Sequence, residues 1–434
     1  MITAVIIVIF LIMCALMYTK KLSALFVLPI MAFLIALVSG IPFNNVTIDG
    51  VTTPGILTLL FVDGPMRLAS TIMMLIFAAI LSQMIRITGI AETIVKKISE
   101  LAGDRPIVLS ISLFIVLSLL FTTLGGLGSV IMIGTIVLPI MASVGIKPLS
   151  AACILLFSLS TGGIFNVMNW GLFQGVLGLE VSVIRTFAVP FGIIFGIMGL
   201  LFILFQEKIS SIFSKKAKLA WPAPDTTTED TSHRKVRVLA LITPIIPLVL
   251  VLVFNVHIIT GLVAALLYCL ITTINKDSVK DITKAVMEGI SSAAGAIFLM
   301  IGIGMLLMVV MDARVTANIG PVIANILPQN PFTYVIFFAV LAPLALYRGP
   351  LNIWGLGLGL GAIMFTSGSL SAFAIMAALM TTGQLQGVCD PTNTHNVWTA
   401  SATSVDVNDI LRKTLPFVWL GAIIGLILAA FMIF

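Results

Sequence analysis

Two apolar stretches, one in each half of this chain, are interrupted by the same run of small and polar residues. They are Ser160-Thr161-Gly162-Gly163-Ile164-Phe165-Asn166-Val167-Met168-Asn169-Trp170 and Thr381-Thr382-Gly383-Gln384-Leu385-Gln386-Gly387-Val388-Cys389-Asp390-Pro391. Laid on each other, Thr161 falls on Thr382, Gly162 on Gly383, Val167 on Val388 and Asn169 on Asp390. With 60% of its residues hydrophobic and 9% charged, the chain belongs in a bilayer. A helix in lipid satisfies its own backbone hydrogen bonds, so unwound backbone at membrane depth persists only beside a cavity or buried in protein. Paired interruptions in two halves are the sequence mark of a secondary transporter's substrate site. The first expectation is therefore a transporter whose two broken helices share one site.

The 434 residues give room for about ten spans of roughly 20 residues. Apolar runs place them at 2–19, 22–41, 69–86, 148–178, 181–206, 237–256, 258–274, 291–311, 371–398 and 414–434. The first run lacks the basic start of a signal peptide and is followed by Lys20-Lys21, so it reads as a span. Two further blocks, 106–142 and 331–369, are too long for one span. Each breaks near its middle, at Thr122-Thr123-Leu124-Gly125-Gly126 and at Tyr347-Arg348-Gly349-Pro350, and each is expected to be a re-entrant hairpin, with two short spans as the rival reading. Residues 91–102 and 313–327 are amphipathic and are expected at the membrane interface. The connection 42–68, with Asn44, Asn45, Asp49 and Pro54, is assigned no element.

Lysine and arginine give an independent check. On this map Lys20, Lys21, Arg86, Lys96, Lys97, Lys147 and the basic residues of 207–237 share one side, which the positive-inside rule makes cytoplasmic. Both termini then lie outside, in a multi-pass protein of the inner (plasma) membrane. The two halves, 1–206 and 237–434, become an inverted repeat of five spans each, with a cytoplasm-facing hairpin in the first and an outward-facing hairpin in the second. Pro106 and Pro331 stand 225 positions apart and Thr161 and Thr382 stand 221 apart, a near-constant offset of the kind an internal repeat leaves. Residues 207–236, polar and proline-bearing, read as a cytoplasmic linker. The net charge of +6 sits mostly in loops and indicates no nucleic-acid partner. Cys14, Cys153, Cys269 and Cys389 are far apart within apolar runs, so neither disulfides nor a metal site is expected.

On this map two formal charges lie deep in the membrane, Arg348 and Asp390. Charge at the bilayer centre costs about 2.5–3.5 kcal/mol on insertion scales, so it is functional or paired. The planar fork of Arg348 suits a bidentate grip on a carboxylate, with a structural pair to Asp390 as the alternative. Asp390 is expected to carry the coupling ion, H⁺ or Na⁺, together with Thr394 and His395; helix capping and an ordinary structural histidine are the plainer readings. At the first hairpin Thr122, Thr123, Gly125, Gly126, Gly128 and Ser129 offer hydroxyls and N–H groups at a helix start, which attracts an anion without a basic side chain. The expected substrate set is completed by Ser160, Thr161, Gly162, Asn166 and Asn169 in the first half, and Gly349, Asn352, Thr381, Thr382, Gln384 and Asn393 in the second. The Gly355, Gly357, Gly359 and Gly361 series reads as close helix packing.

Several strings resemble the ion transporter superfamily of organic-anion permeases. Ile85 to Pro106 is similar to the segment before the first hairpin in citrate–metal–proton symporters and gluconate permeases. Leu138-Pro139 and Lys147-Pro148-Leu149 are similar to the exit from that hairpin, and Asn166-Val167-Met168-Asn169-Trp170-Gly171 resembles the citrate branch's broken span. The citrate branch carries a His- and Asp-containing run where this chain has Phe121 to Gly128, which argues against carriage of a metal–citrate complex. The resemblance implies an elevator-type homodimer with a scaffold domain and a transport domain. Together these observations imply a cation-coupled symporter of a small organic carboxylate such as citrate, a dicarboxylate or a sugar acid. A cation/proton antiporter using Asp390 is the alternative. No HExxH, GxSxG or carboxylate cluster suggests an enzyme, so no catalytic residue and no cofactor beyond Na⁺ is expected.

Overall fold

The computed structural model describes residues 2–19, 21–48, 50–213, 236–347 and 349–434. Arg348 and most of the linker lie outside the described residues. The chain is an all-α polytopic membrane protein, and among the described residues seven helices are long and apolar enough to cross a bilayer. Prolines sit in the first turn of Pro106–Phe121, Pro148–Phe165 and Pro331–Leu341, where the missing N–H costs no hydrogen bond. Side-chain caps from Asn330, Ser371 and Asp406 open three second-half helices.

The same order of elements occurs twice. Ile2–Tyr18, Ala24–Val38, Ala69–Ile87 and the amphipathic Ile90–Ala102 lead into a first hairpin of Pro106–Phe121 and Gly126–Ser143. A broken span, Pro148–Phe165 and Val167–Leu177, and the long Val181–Phe213 follow. In the second half Val238–Ile245 with Ile246–Leu252, Ile258–Thr272, Ser278–Val310 and the amphipathic Ala313–Ile326 precede a second hairpin, Pro331–Leu341 and Leu358–Thr366. The second broken span is Ala372–Cys389 and Thr394–Ala402, and Val407–Ile433 ends the chain.

Equivalent helices of the two halves run antiparallel. A Cβ on Gly289 would lie 3.0 Å from Ile80 Cα, and one on Gly304 would lie 2.1 Å from the carbonyl oxygen of Gly64, so Ser278–Val310 descends as 64–87 ascends. The last spans behave alike: Phe417 packs on Phe202 at 5.3 Å between ring centroids, while Gly425 abuts Phe191. Antiparallel equivalents are what an inverted repeat requires.

Several boundaries differ from expectation. The span expected at 291–311 begins at Ser278, because Lys280, Asp281, Lys284 and Glu288 occupy extra turns rather than a loop, and Glu288 pairs with Arg86. The last helix begins at Val407 rather than 414. Residues 237–256 start as a 3-10 helix around Pro244 and Pro247. The unassigned connection 42–68 holds an antiparallel ribbon, Val46–Ile48 with Val51–Thr53, followed by short helices. The chain's packing separates two groups. The hairpins, broken spans and last spans pack on one another, and Ala24–Val38, Ala69–Ile87, Ile258–Thr272 and Ser278–Val310 form a second group.

Candidate functional site

The small-residue runs do not unwind. Ser160 to Phe165 and Thr381 to Cys389 are helical, and the chain leaves the helix only at Asn166 and at Asp390. These two residues share a backbone conformation, φ −70°, ψ 116° and φ −69°, ψ 113°. The true repeat offset is therefore 224, which places Asn166 on Asp390 and Ser160 on Gln384 and replaces the 221-residue superposition. Glycine serves close crossing here rather than unwinding. A Cβ on Gly162 would meet the Ser118 carbonyl at 2.4 Å, and one on Gly387 would meet Ser160 Oγ at 2.6 Å. At that crossing Ser160 Oγ donates to Gln384 Oε1 at 2.6 Å, so two equivalent residues bond across the pseudo-two-fold axis.

Each break also seats the tip of its own hairpin. Asn166 Nδ2 donates to the carbonyls of Phe121 (2.9 Å) and Leu124 (3.4 Å), while its Oδ1 accepts from Met168 N at 2.9 Å. Asp390 Oδ1 accepts from Tyr347 N at 3.0 Å, Thr392 N at 2.8 Å and Thr392 Oγ1 at 2.7 Å. One neutral amide and one fully buried carboxylate thus hold equivalent joints. The carbonyls freed by each break are capped from the following helix. Asn169 Nδ2 donates to Gly163 O at 2.7 Å and Trp170 Nε1 to Ile164 O at 2.7 Å. In the second break Asn393 Nδ2 donates to Gln386 O at 3.1 Å, and Asn396 Nδ2 to Val388 O (3.1 Å) and Asp390 O (2.9 Å). Trp170, Asn396 and Gln386, whose Oε1 accepts from Ile353 N, are structural contributors outside the sequence-based set; their spacing from the breaks was the available signal.

The remaining expected residues are placed as follows. Thr122 Oγ1 donates to Leu119 O, Thr123 Oγ1 to Pro244 O, and Ser129 Oγ to Gly125 O while meeting Ser82 Oγ. Thr381 and Thr382 are fully buried and donate back to their own helix at Ala377 and Ala378, as helical threonines do. Thr161 Oγ1 and Asn352 Oδ1 are buried polar atoms without a hydrogen-bond partner among the described residues. Gly349 is held under the Leu344 carbonyl, Thr394 is exposed, and His395 is half-buried just beyond the Asn393 cap. Arg348, the expected anion clamp, lies outside the described residues. Gly359 abuts Leu306 and Gly361 abuts Leu379, so both serve close packing.

The returning helix of the first hairpin has an open start. Gly125 at its N-cap supplies no side-chain cap, Gly126 takes φ +78°, and a Cβ on Gly126 or Gly128 would meet nothing within 4 Å. The positive end of the 18-residue helix lies at this uncapped start. Around this point the following half of each broken span lies against the returning helix of the other half's hairpin: Val167–Leu177 on Leu358–Thr366, and Thr394–Ala402 on Gly126–Ser143, where Gly134 sits under Trp398.

These features define a polytopic membrane protein with two broken spans and two hairpins around one axis. The fold is similar to that of the Alcanivorax borkumensis YdaH transporter, with a TM-score of 0.59 over 94% of this chain and 96% of that one at 14% identity. No family model and no curated protein matches the chain.

Proposed function

We propose that this protein is a secondary transporter coupling a cation, H⁺ or Na⁺, to symport of a small organic carboxylate. The observation that carries this reading is the pair of breaks related by one offset, crossing at Ser160 and Gln384 and each holding a hairpin tip. Broken helices at the interface of inverted repeats bind substrate in many transporters. The fold likeness to a transporter agrees with it. The anion would meet the open N-terminus of Gly126–Ser143 and the guanidinium of Arg348, with Asn352 Oδ1 and Thr161 Oγ1 as acceptors for substrate hydroxyls. Asp390 would carry the coupling cation, with Thr394 and His395 beside it. A fully buried carboxylate also suits a cation/proton antiporter, which is the second reading.

The sequence resemblance to organic-anion permeases supports the carboxylate class and extends the proposal to an elevator-type homodimer. Halves 1–206 and 237–434 are joined by a cytoplasmic linker 207–236, the hairpins open to opposite sides, and both termini lie outside the inner membrane. The test is thermal unfolding of wild type and Arg348→Lys with mono-, di- and tricarboxylates and sugar acids, each with and without Na⁺. A native-state ligand stabilises by mass action. A carboxylate that stabilises wild type, and does so much less in Arg348→Lys, supports symport. Stabilisation by Na⁺ or pH alone supports the antiporter.

A further inference from the structure

Among the described residues, four side chains, those of Thr71, Ser82, Thr123 and Arg185, hydrogen-bond the hairpin and broken-span group to the rest of the molecule, and all four belong to first-half elements. Thr71 Oγ1, on Ala69–Ile87, donates to Gly171 O at 3.0 Å, where Gly171 and Gly175 pack against Met74 and Thr71. Ser82 Oγ meets Ser129 Oγ at 2.9 Å. Thr123 Oγ1, at the tip of the first hairpin, donates to the carbonyl of Pro244. Arg185 Nη1, near the start of Val181–Phe213, donates to Leu252 O at 2.6 Å and Asn255 Oδ1 at 2.8 Å. The second hairpin meets the same partner group through apolar packing, as Gly359 does with Leu306 and Leu28.

Two of these residues, Thr123 and Arg185, reach one irregular segment, and its irregularity frees the backbone carbonyls that they bond. Residues Val238–Ile245 form a 3-10 helix, in which the carbonyl of residue i accepts from residue i+3. The 3-10 donor for Pro244 would be residue 247, a proline without an N–H. Leu252 is the last residue of Ile246–Leu252, where helix carbonyls lack intrahelical donors. Thr123 supplies the donor for the buried Pro244 and Arg185 that for the half-buried Leu252, both from the neighbouring group.

We propose that the 238–255 segment is a docking rail. Thr123 at mid-depth and Arg185 at its end latch the first-half elements onto it, and both latches release when the two groups separate during the transport cycle. The proposal rests on the transport reading only for that separation. It assigns a polar hold to the first hairpin.

The test is amide hydrogen exchange of the full chain in lipid nanodiscs, which needs no substrate. Thr123→Val should speed exchange of the hairpin tip around 122–127 and of 245–253 together, by about two- to tenfold, the range expected for losing one net hydrogen bond. Thr123→Ser, which keeps the donor, should match wild type, and the Arg185 variant carries the test if the valine variant fails to fold. Arg185→Gln should speed 245–253 as well. Faster exchange at the tip alone, no change in either segment, or a serine variant as fast as valine would overturn the latch. Correlated exchange in a chain that transports none of the organic anions offered would remove the symport reading and leave the latch standing.

Discussion

The crossing of the two broken spans makes a quantitative prediction. Gly387→Ala places a methyl carbon 2.6 Å from Ser160 Oγ and 3.3 Å from Ser160 Cβ, against 3.4–4 Å for ordinary contact. The serine hydroxyl must move, and in moving it loses its 2.6 Å bond to Gln384 Oε1. Overpacking in a tight core costs about 1–3 kcal/mol, offset by the roughly 0.5–1 kcal/mol that alanine gains over glycine within a helix. Ser160→Ala leaves Gln384 Oε1 buried without that donor, a loss of about 1–3 kcal/mol. The double variant is the informative one. With the hydroxyl already gone the new methyl meets only a Cβ that yields by a few tenths of an ångström, so the second substitution should add almost nothing. The expected coupling between the two sites is about 1–2 kcal/mol, inside the range for residues in direct contact. Unfolding free energies of wild type, both single variants and the double variant in mixed micelles would measure it. A neutral Gly387→Ala, or costs that add, would refute the close crossing.

Two further outcomes follow from the site and the repeat. Asp390→Asn keeps an oxygen acceptor for Tyr347 N and Thr392, as Asn166 does at the equivalent joint, so the variant should fold while the thermal response to Na⁺ disappears; an unchanged Na⁺ response would take Asp390 out of the coupling site. Single cysteines replacing the exposed Lys147 and Gln329 should react with an impermeant reagent from opposite sides of sealed vesicles, and labelling from one side would end the inverted arrangement of the hairpins.

The hairpins, both breaks and the repeat were legible because each leaves polar or small residues in an otherwise apolar run. The exact joint was not. Glycine and serine serve both for unwinding and for close helix approach, and Gly162 and Gly387 do the second. The joints fall instead on Asn166 and Asp390, residues that end helices by binding nearby backbone. The extra turns of Ser278–Val310 were hidden because four charges look like a loop, although Glu288 is answered by Arg86 from a neighbouring helix. The ribbon at 46–53 had a signal that went unused: an Asp-Gly pair between runs of Val and Thr is a sequence mark of a hairpin, and Gly50 takes φ +79°. Pairing across the axis, as between Ser160 and Gln384, has no local trace because it depends on how two distant helices cross.

Asn166 and Asp390 occupy the same joint with the same backbone shape, and only one of them is an acid. Two identical halves related by an in-plane dyad would give two access states of equal free energy, each the other turned over. A carboxylate on one side and a carboxamide on the other removes that degeneracy. Under the coupling role proposed for Asp390, the resting preference of the molecule would depend on what occupies or neutralises that residue, and the cation gradient would act on a single joint rather than on the fold as a whole.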